Sequence, residues 1–274
     1  MRNGPDFYCS DRTSFQFVEE TRALWAYRHL VRELVARDIK VRYKRSVLGL
    51  FWTMLSPLLN MIALTVAFSA VLRQQIANYP VYFLCGTLFW TFFAQVTNHT
   101  ASLTIDAGEI TKRCYIPRSV FVVSAVGVGL VNMLLSLVPL LVIIVWTGHP
   151  VRASWLFLPA SIVIGVFFTC GVSLLIFTLA SRFVDVREMY NALLNTWFFL
   201  TPIVYAPSIV PDRFRPLLRL NPMTYLVEVF RAPLYDGWLP GTHTLTFAVL
   251  ASLAVLAAGW LFYSLKIDEY AART

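Results

Sequence analysis

Residues 106–119, DAGEITKRCYIPRS, form a charged island between two long apolar runs. The island carries two acids and three bases in fourteen positions, and the runs on either side carry none. Groups of this kind need water. Lys112, Arg113 and Arg118 put the island on the cytoplasmic side of a bilayer, because bases in short loops resist translocation. Taken alone, such a stretch is an ordinary solvated loop. What it serves is decided by the chain around it.

Outward from the island, the chain is 58% hydrophobic and only 14% charged, against roughly 25% charged residues in a soluble domain. Several uncharged runs reach the roughly 20 residues that a helix needs to cross a bilayer. The fold class is therefore an all-α polytopic membrane protein. Six transmembrane helices are expected, at about 48–72, 81–104, 120–146, 155–180, 189–205 and 242–265. Pro57 should kink the first and Pro202 lies late in the fifth, both tolerable in membrane helices. In the second, the polar half 95–104 should face protein or water.

Three further segments complete the organisation: a polar cytoplasmic tail at 1–23, an amphipathic helix at 24–45, and the six-span domain at 46–274. Leu24, Tyr27, Val31, Leu34 and Val35 recur at three-and-four spacing, with Arg28, Arg32, Arg37 and Lys40 mostly off that stripe. A basic polar face of this kind is read as that of a helix lying in the membrane interface; an ordinary amphipathic helix packed on protein is the competing reading. Between spans five and six, residues 206–241 hold six prolines. Asn221-Pro222 reads as an N-cap followed by proline at the first helical position. The helix it opens is too short and too charged to cross, so 206–241 is expected to be an outer re-entrant helical hairpin packed against protein.

The charge distribution orients the chain. Of its 23 bases, 17 fall in the segments assigned to the cytoplasm, so both termini are expected there. Four arginines in 206–241 (Arg213, Arg215, Arg219, Arg231) sit against this bias. The net charge of +8 follows from orientation and from contact with membrane lipids, and implies no nucleic-acid partner.

The absences narrow the chemistry. No Asp, Glu, Lys or Arg lies in any of the six expected spans, which argues against proton-coupled and ion-coupled transport. The chain has no G-x-x-x-x-G-K-[ST] phosphate loop, no H-E-x-x-H and no nucleophile elbow. Cys9, Cys85, Cys114 and Cys170 show no metal spacing and read as free thiols. No catalytic residue, metal site or cofactor is expected in this chain. Two aromatic stripes, Phe89–Trp90–Phe93 and Trp197–Phe198, read either as packing or as a surface on which a ligand stacks.

Three blocks carry a resemblance. RELVARDIKVRYKRSVLGLFWTMLSPLL at 32–59, EITKRCYIPRS at 109–119, and SRFVDVREMYNALLNTWFFLTPIVY with NPMTYLVEVFRAPLYDG further on are similar to the permease subunits of ATP-binding-cassette polysaccharide exporters. That class moves lipid-linked O-antigen, capsule and teichoic-acid chains across the bacterial inner membrane. The resemblance spans roughly residues 24–265. It implies a homodimer with two separate ATPase subunits, which bind the ATP and magnesium, and a lipid-linked glycan as substrate. It implies that 24–44 is a gate helix, with Arg37, Arg42 and Tyr43 at the interface. It implies that 106–119 is the main coupling segment. Glu109, Lys112, Arg113, Tyr115, Ile116, Pro117 and Arg118 would then contact the ATPase, with Arg182 and Asp185 from the second cytoplasmic loop. Phe89, Trp90, Phe93, Trp197 and Phe198 would line the polymer path. A drug or lipid exporter of the same broad class, and a membrane enzyme acting on lipid-linked sugars, are the competing readings.

The topology has a direct test. Thiol labelling from outside should reach cysteines placed near Asn78, His149 and Asp212 but not near Lys112 or Arg187. Labelling at Lys112 from outside would invert the orientation.

Overall fold

The computed structural model describes residues 24–44, 55, 58–63, 66, 76–111, 117–148, 150, 152–183 and 185–271. Among them every regular element is helical. α1 spans Arg28–Tyr43, α2 Tyr79–Thr111, α3 Ser119–Trp146, α4 Leu158–Arg182, α5 Val186–Leu200, α6 Arg215–Leu220, α7 Pro222–Arg231 and α8 Thr242–Ala271. A 3-10 turn at Ala153–Phe157 precedes α4, and a π-helical turn at Ala232–Asp236 follows α7. Most of the expected first span, Pro57 included, lies outside the described residues; residues 55, 58–63 and 66 are helical.

Four helical stretches are long and apolar enough to cross a bilayer: Tyr79–Leu103, Ser119–Trp146, Ala153–Arg182 and Thr242–Lys266. They fall on the expected spans two, three, four and six. Their long uncharged runs bury apolar side chains inward and leave Leu134, Val138, Val142, Leu250, Leu253 and Leu261 exposed, the composition of a lipid-facing surface. Pro139 sits inside α3 without ending it.

The fifth stretch differs from the expectation. α5 ends at Leu200, and its 15 residues reach only about 22 Å at 1.5 Å per residue, short of the roughly 30 Å hydrocarbon core. The cause is local. Pro202 disfavours helical geometry in the residue before it, and Thr201 adopts φ −101° and ψ 133°. Residues 201–205 continue as turns, not helix.

α2 is the centre of the bundle and the most buried of the long helices. It packs against α3, α4, α5 and α7. The main core gathers Phe83, Phe89, Phe93, Val96, Phe168, Ile203, Met223, Leu226 and Phe230. A second, smaller core joins Leu34 of α1 to Leu103, Val120, Phe121, Ala125, Leu174, Phe177 and Tyr263. The stripe read from the sequence thus lies on protein along α1, with Tyr27, Leu30 and Val31 partly buried, while Trp25 and Val41 remain exposed.

The closest helix pairing is α4 with α8. A Cβ on Gly171 would stand 2.6 Å from the Leu256 Cα, and one on Gly259 would strike the Gly171 carbonyl oxygen. Without a hydrophobic drive between helices in lipid, such backbone approach through small residues is what holds a pair together. Gly259→Ala should therefore cost about 1–3 kcal/mol through overpacking, read as a lower thermal midpoint of the purified protein. Gly241→Ala, which meets only Thr244 Oγ1 at 4.0 Å, should leave the midpoint unchanged.

Candidate functional site

The site is built where α5 stops. In lipid every backbone polar group needs a partner inside the protein, and residues 201–205 have left the helix that would supply it. Three side chains supply it instead. The Tyr79 hydroxyl donates to the Val204 carbonyl at 3.0 Å, and the Tyr82 hydroxyl to the Tyr205 carbonyl at 3.0 Å. Arg231, from the end of α7, donates from Nη2 to the Pro202 carbonyl at 2.9 Å. Its guanidinium lies 3.8 Å from the Tyr82 ring centroid, and the residue is only 6% exposed. The charge is thus held by a ring face and a carbonyl. Gly86 leaves the space: a Cβ there would come within 2.6 Å of Arg231 Nη2.

Asn221 organises the next turn, as the sequence leads one to expect. Its Oδ1 caps α7 by accepting from the Met223 N–H at 3.0 Å, and Pro222 opens the helix. The same oxygen accepts from Trp197 Nε1 at 2.8 Å, and Nδ2 donates to the Leu200 carbonyl and Thr201 Oγ1. One turn above Arg231, Glu228 Oε1 accepts from Thr244 Oγ1 at 3.5 Å. Burial pushes the Glu228 carboxyl up from its ordinary value, and the Arg231 charge works in the opposite direction.

The aromatic residues assigned to the path fall into two groups. Trp90, Phe93, Trp197 and Phe198 come together: Trp90 meets Phe93, Trp197 and Phe198 at centroid separations of 5.7, 6.1 and 5.6 Å, and Phe93 meets Trp197 at 5.4 Å. Phe89 faces elsewhere, against Phe230 at 5.5 Å. Phe89, Trp90 and Phe93 are buried within the subunit; Trp197 and Phe198 are half-buried and lead to Phe199, which is 70% exposed. The polar half of α2 faces protein except at Gln95, which is exposed. Thr97 and Thr100 are buried and donate to backbone carbonyls one turn back, and Asn98 Nδ2 donates to Asn191 Oδ1 at 2.6 Å.

At the other end of the bundle, the charged island begins as helix: α2 continues to Thr111. Glu109 lies on that extension. Lys112, Arg113, Tyr115 and Ile116 lie outside the described residues. Pro117 and Arg118 are half-buried immediately before α3. Arg182 ends α4 with its guanidinium 5.5 Å from the Phe183 ring, and exposed Asp185 precedes α5. On α1, Arg37 pairs with its neighbour Asp38 at 2.9 Å; Arg42 and Tyr43 form its last turn. Among the described residues no three His, Cys, Asp or Glu side chains cluster to hold a metal.

Sequence reasoning missed Tyr79, Tyr82 and Arg231. Their partners are about 30 to 125 residues away in the chain, so no local pattern marks them.

Known sequences place this helical membrane chain in a family. The ABC-2 type transporter family matches residues 29–235. The chain belongs to that family. The O-antigen export system permease protein RfbA of Myxococcus xanthus is 31% identical over 93% of this chain and 98% of its own length. A protein of the same name from Klebsiella pneumoniae is 32% identical over 74% of this chain and 79% of its own. The polysialic acid transport protein KpsM of Escherichia coli is 21% identical over 85% and 92%. The resemblance read from the three sequence blocks is borne out at the level of the family. For an ABC-2 transporter, the buried clamp at residues 201–205 is a structural element of the membrane domain, not a reaction centre.

Removal of the clamp is measurable. Arg231→Ala leaves the Pro202 carbonyl only the longer bond from the Tyr82 hydroxyl, at 3.4 Å, and the Tyr82 face without its cation, and should cost about 2 kcal/mol. Thermal unfolding and protease sensitivity near residue 205 report the loss. Arg231→Lys should recover part of it.

Proposed function

We propose that the chain is the membrane-spanning subunit of an ATP-driven exporter that moves lipid-linked polysaccharide across the bacterial inner membrane. The observation that carries this is the match to an O-antigen export permease along 98% of that relative's length. The sequence lacks a phosphate loop, so the reading assigns ATP and magnesium to two separate ATPase subunits beneath a homodimer of this chain. The three relatives named above favour a glycan over a drug or simple lipid as cargo.

In this reading the chain crosses six times. To the four long apolar stretches are added the first span, helical at 58–63, and α5 completed by the 201–205 turn. Residues 206–241 re-enter the outer half of the membrane. Contact depth supports this. Asn221 is bonded to Trp197, whose ring lies on Trp90 and Phe93, and those residues stand about 16–21 Å along α2 from Tyr79 at 1.5 Å per residue. Arg231, at the other end of α7, sits over Tyr82 near the start of α2. α6 therefore descends to about mid-membrane and α7 climbs back. Both termini and the 106–119 island face the cytoplasm. The half-buried Trp197 and Phe198 and the exposed Phe199 face the polymer path, and buried Phe89, Trp90 and Phe93 back them. α1, with Arg37, Arg42 and Tyr43, gates the inner entrance at the lipid interface.

Force enters through the island. Tyr115 and Ile116 supply an apolar contact, and Lys112, Arg113 and Arg118 steer an acidic groove of the ATPase toward it. Tyr and Arg are the residue types that dominate interface energies. Replacing Tyr115 and Arg118 together with Ala should weaken ATPase binding by at least about 2 kcal/mol and abolish surface glycan, while the chain still inserts. Co-purification and ATP turnover of the complex are the readouts. An unchanged complex would assign coupling to the loop containing Arg182 and Asp185 or to α1.

A further inference from the structure

Four arginines lie in the outer segment 206–241, against the charge bias that orients the chain, and the structure gives three of them local work. Arg231 is buried in the clamp. Arg215 pairs with Asp212 at 2.6 Å, and Arg213 stacks over Phe214 at 4.5 Å. Arg219 is left. It is exposed, and among the described residues its side chain has no ion pair and no ring contact. Its backbone is fixed: the Arg219 carbonyl accepts from the Tyr225 hydroxyl at 3.0 Å, and neighbouring Leu218 turns inward with 9% exposure. Leu220 beside it is 76% exposed.

Position makes this cation informative. Arg219 is two residues from Asn221, which is bonded to Trp197 against Trp90 and Phe93, and is held by Tyr225, whose ring packs on Phe247 in the second turn of α8; in the reading above both contacts put it inside the outer half of the membrane. A guanidinium turned to lipid at that depth is costly, and such residues face a water-filled cavity or a polar partner. The Arg219 side of α6 therefore turns to water or to a polar partner. We propose that Arg219 lines the aqueous path of the exporter and recognises the acidic groups of the passing glycolipid. This rests on the six-span, glycan-exporting reading above and adds to it a charged contact with the cargo. Two sources share the required chemistry: the phosphate that links glycan to lipid, and the carboxylate of an acidic sugar. A fixed, forked donor set suits either.

The test uses spheroplasts carrying the chain with its ATPase, the four native cysteines replaced by serine and Leu220→Cys added. Two membrane-impermeant thiosulfonates of similar size are applied from outside, one anionic and one cationic. Both should label position 220, the anionic one about threefold faster because of the neighbouring cation. Arg219→Gln should erase that preference. Inorganic pyrophosphate and N-acetylneuraminate are then added in parallel; stronger slowing by pyrophosphate identifies the lipid phosphate as the recognised group, and stronger slowing by N-acetylneuraminate the sugar carboxylate. Ser208→Cys, on the outer loop, should label freely, and Leu250→Cys, on the lipid face of α8, should not. Labelling at 208 with none at 220 overturns this inference and leaves the topology standing. Absence of labelling at 208 overturns the topology and the inference with it. A charge preference that survives Arg219→Gln, slowing by neither anion, or labelling at 250 as fast as at 220 also overturns it.

Discussion

A backbone carbonyl buried in a membrane protein has no water to turn to, and the arrangement around residues 201–205 follows from that. Pro202 follows the end of α5, which is 15 residues long. The carbonyls that follow are satisfied by Tyr79 and Tyr82 at the start of α2 and by Arg231 at the end of α7. Those donors must be held to within hydrogen-bond reach. This fixes α7 against α2. The cation that makes the third bond is itself expensive to bury unless paired. The Tyr82 ring and the space left by Gly86 answer that requirement. A helix break, a buried charge and a glycine are thus one feature.

Much of the scaffold could be read from the chain because lipid imposes a one-dimensional rule. Uncharged runs of sufficient length at 81–104, 120–146, 155–180 and 242–265 became long helices, since charge and length decide crossing without reference to neighbours. The Asn221-Pro222 cap was readable for the same reason, being local chemistry. The end of α5 was only half readable. Pro202 was visible, yet the apolar run continued to Tyr205, and hydrophobicity does not distinguish a helix from a turn whose carbonyls are bonded by distant tyrosines. Arg231 looked like one more exception to the charge bias, because its partners lie on other elements.

The aromatic stripes illustrate a second limit. Phe89, Trp90 and Phe93 occupy little more than one turn of α2, and the sequence offers no means of telling which neighbour each meets. The structure sends Phe89 to Phe230 and the others to Trp197. α1 shows the same limit: its apolar stripe was legible, but the α3 surface that receives it, where a Cβ on Gly127 would stand 2.9 Å from Val35 Cγ2, was not.

α2 runs unbroken from Tyr79 to Thr111 over 33 residues, about 50 Å at 1.5 Å per residue. One end carries the tyrosines that grip the broken helix, and the other passes into the charged island. No proline or glycine pair interrupts it. Such a rod behaves as a push-rod with a lever arm: a tilt of about 5° at one end displaces the other by roughly 4 Å over that length. The clamp and the island are therefore geared to each other without any intervening joint. A movement imposed at the Thr111 end reaches the clamp at residues 201–205 undamped, in the same stroke.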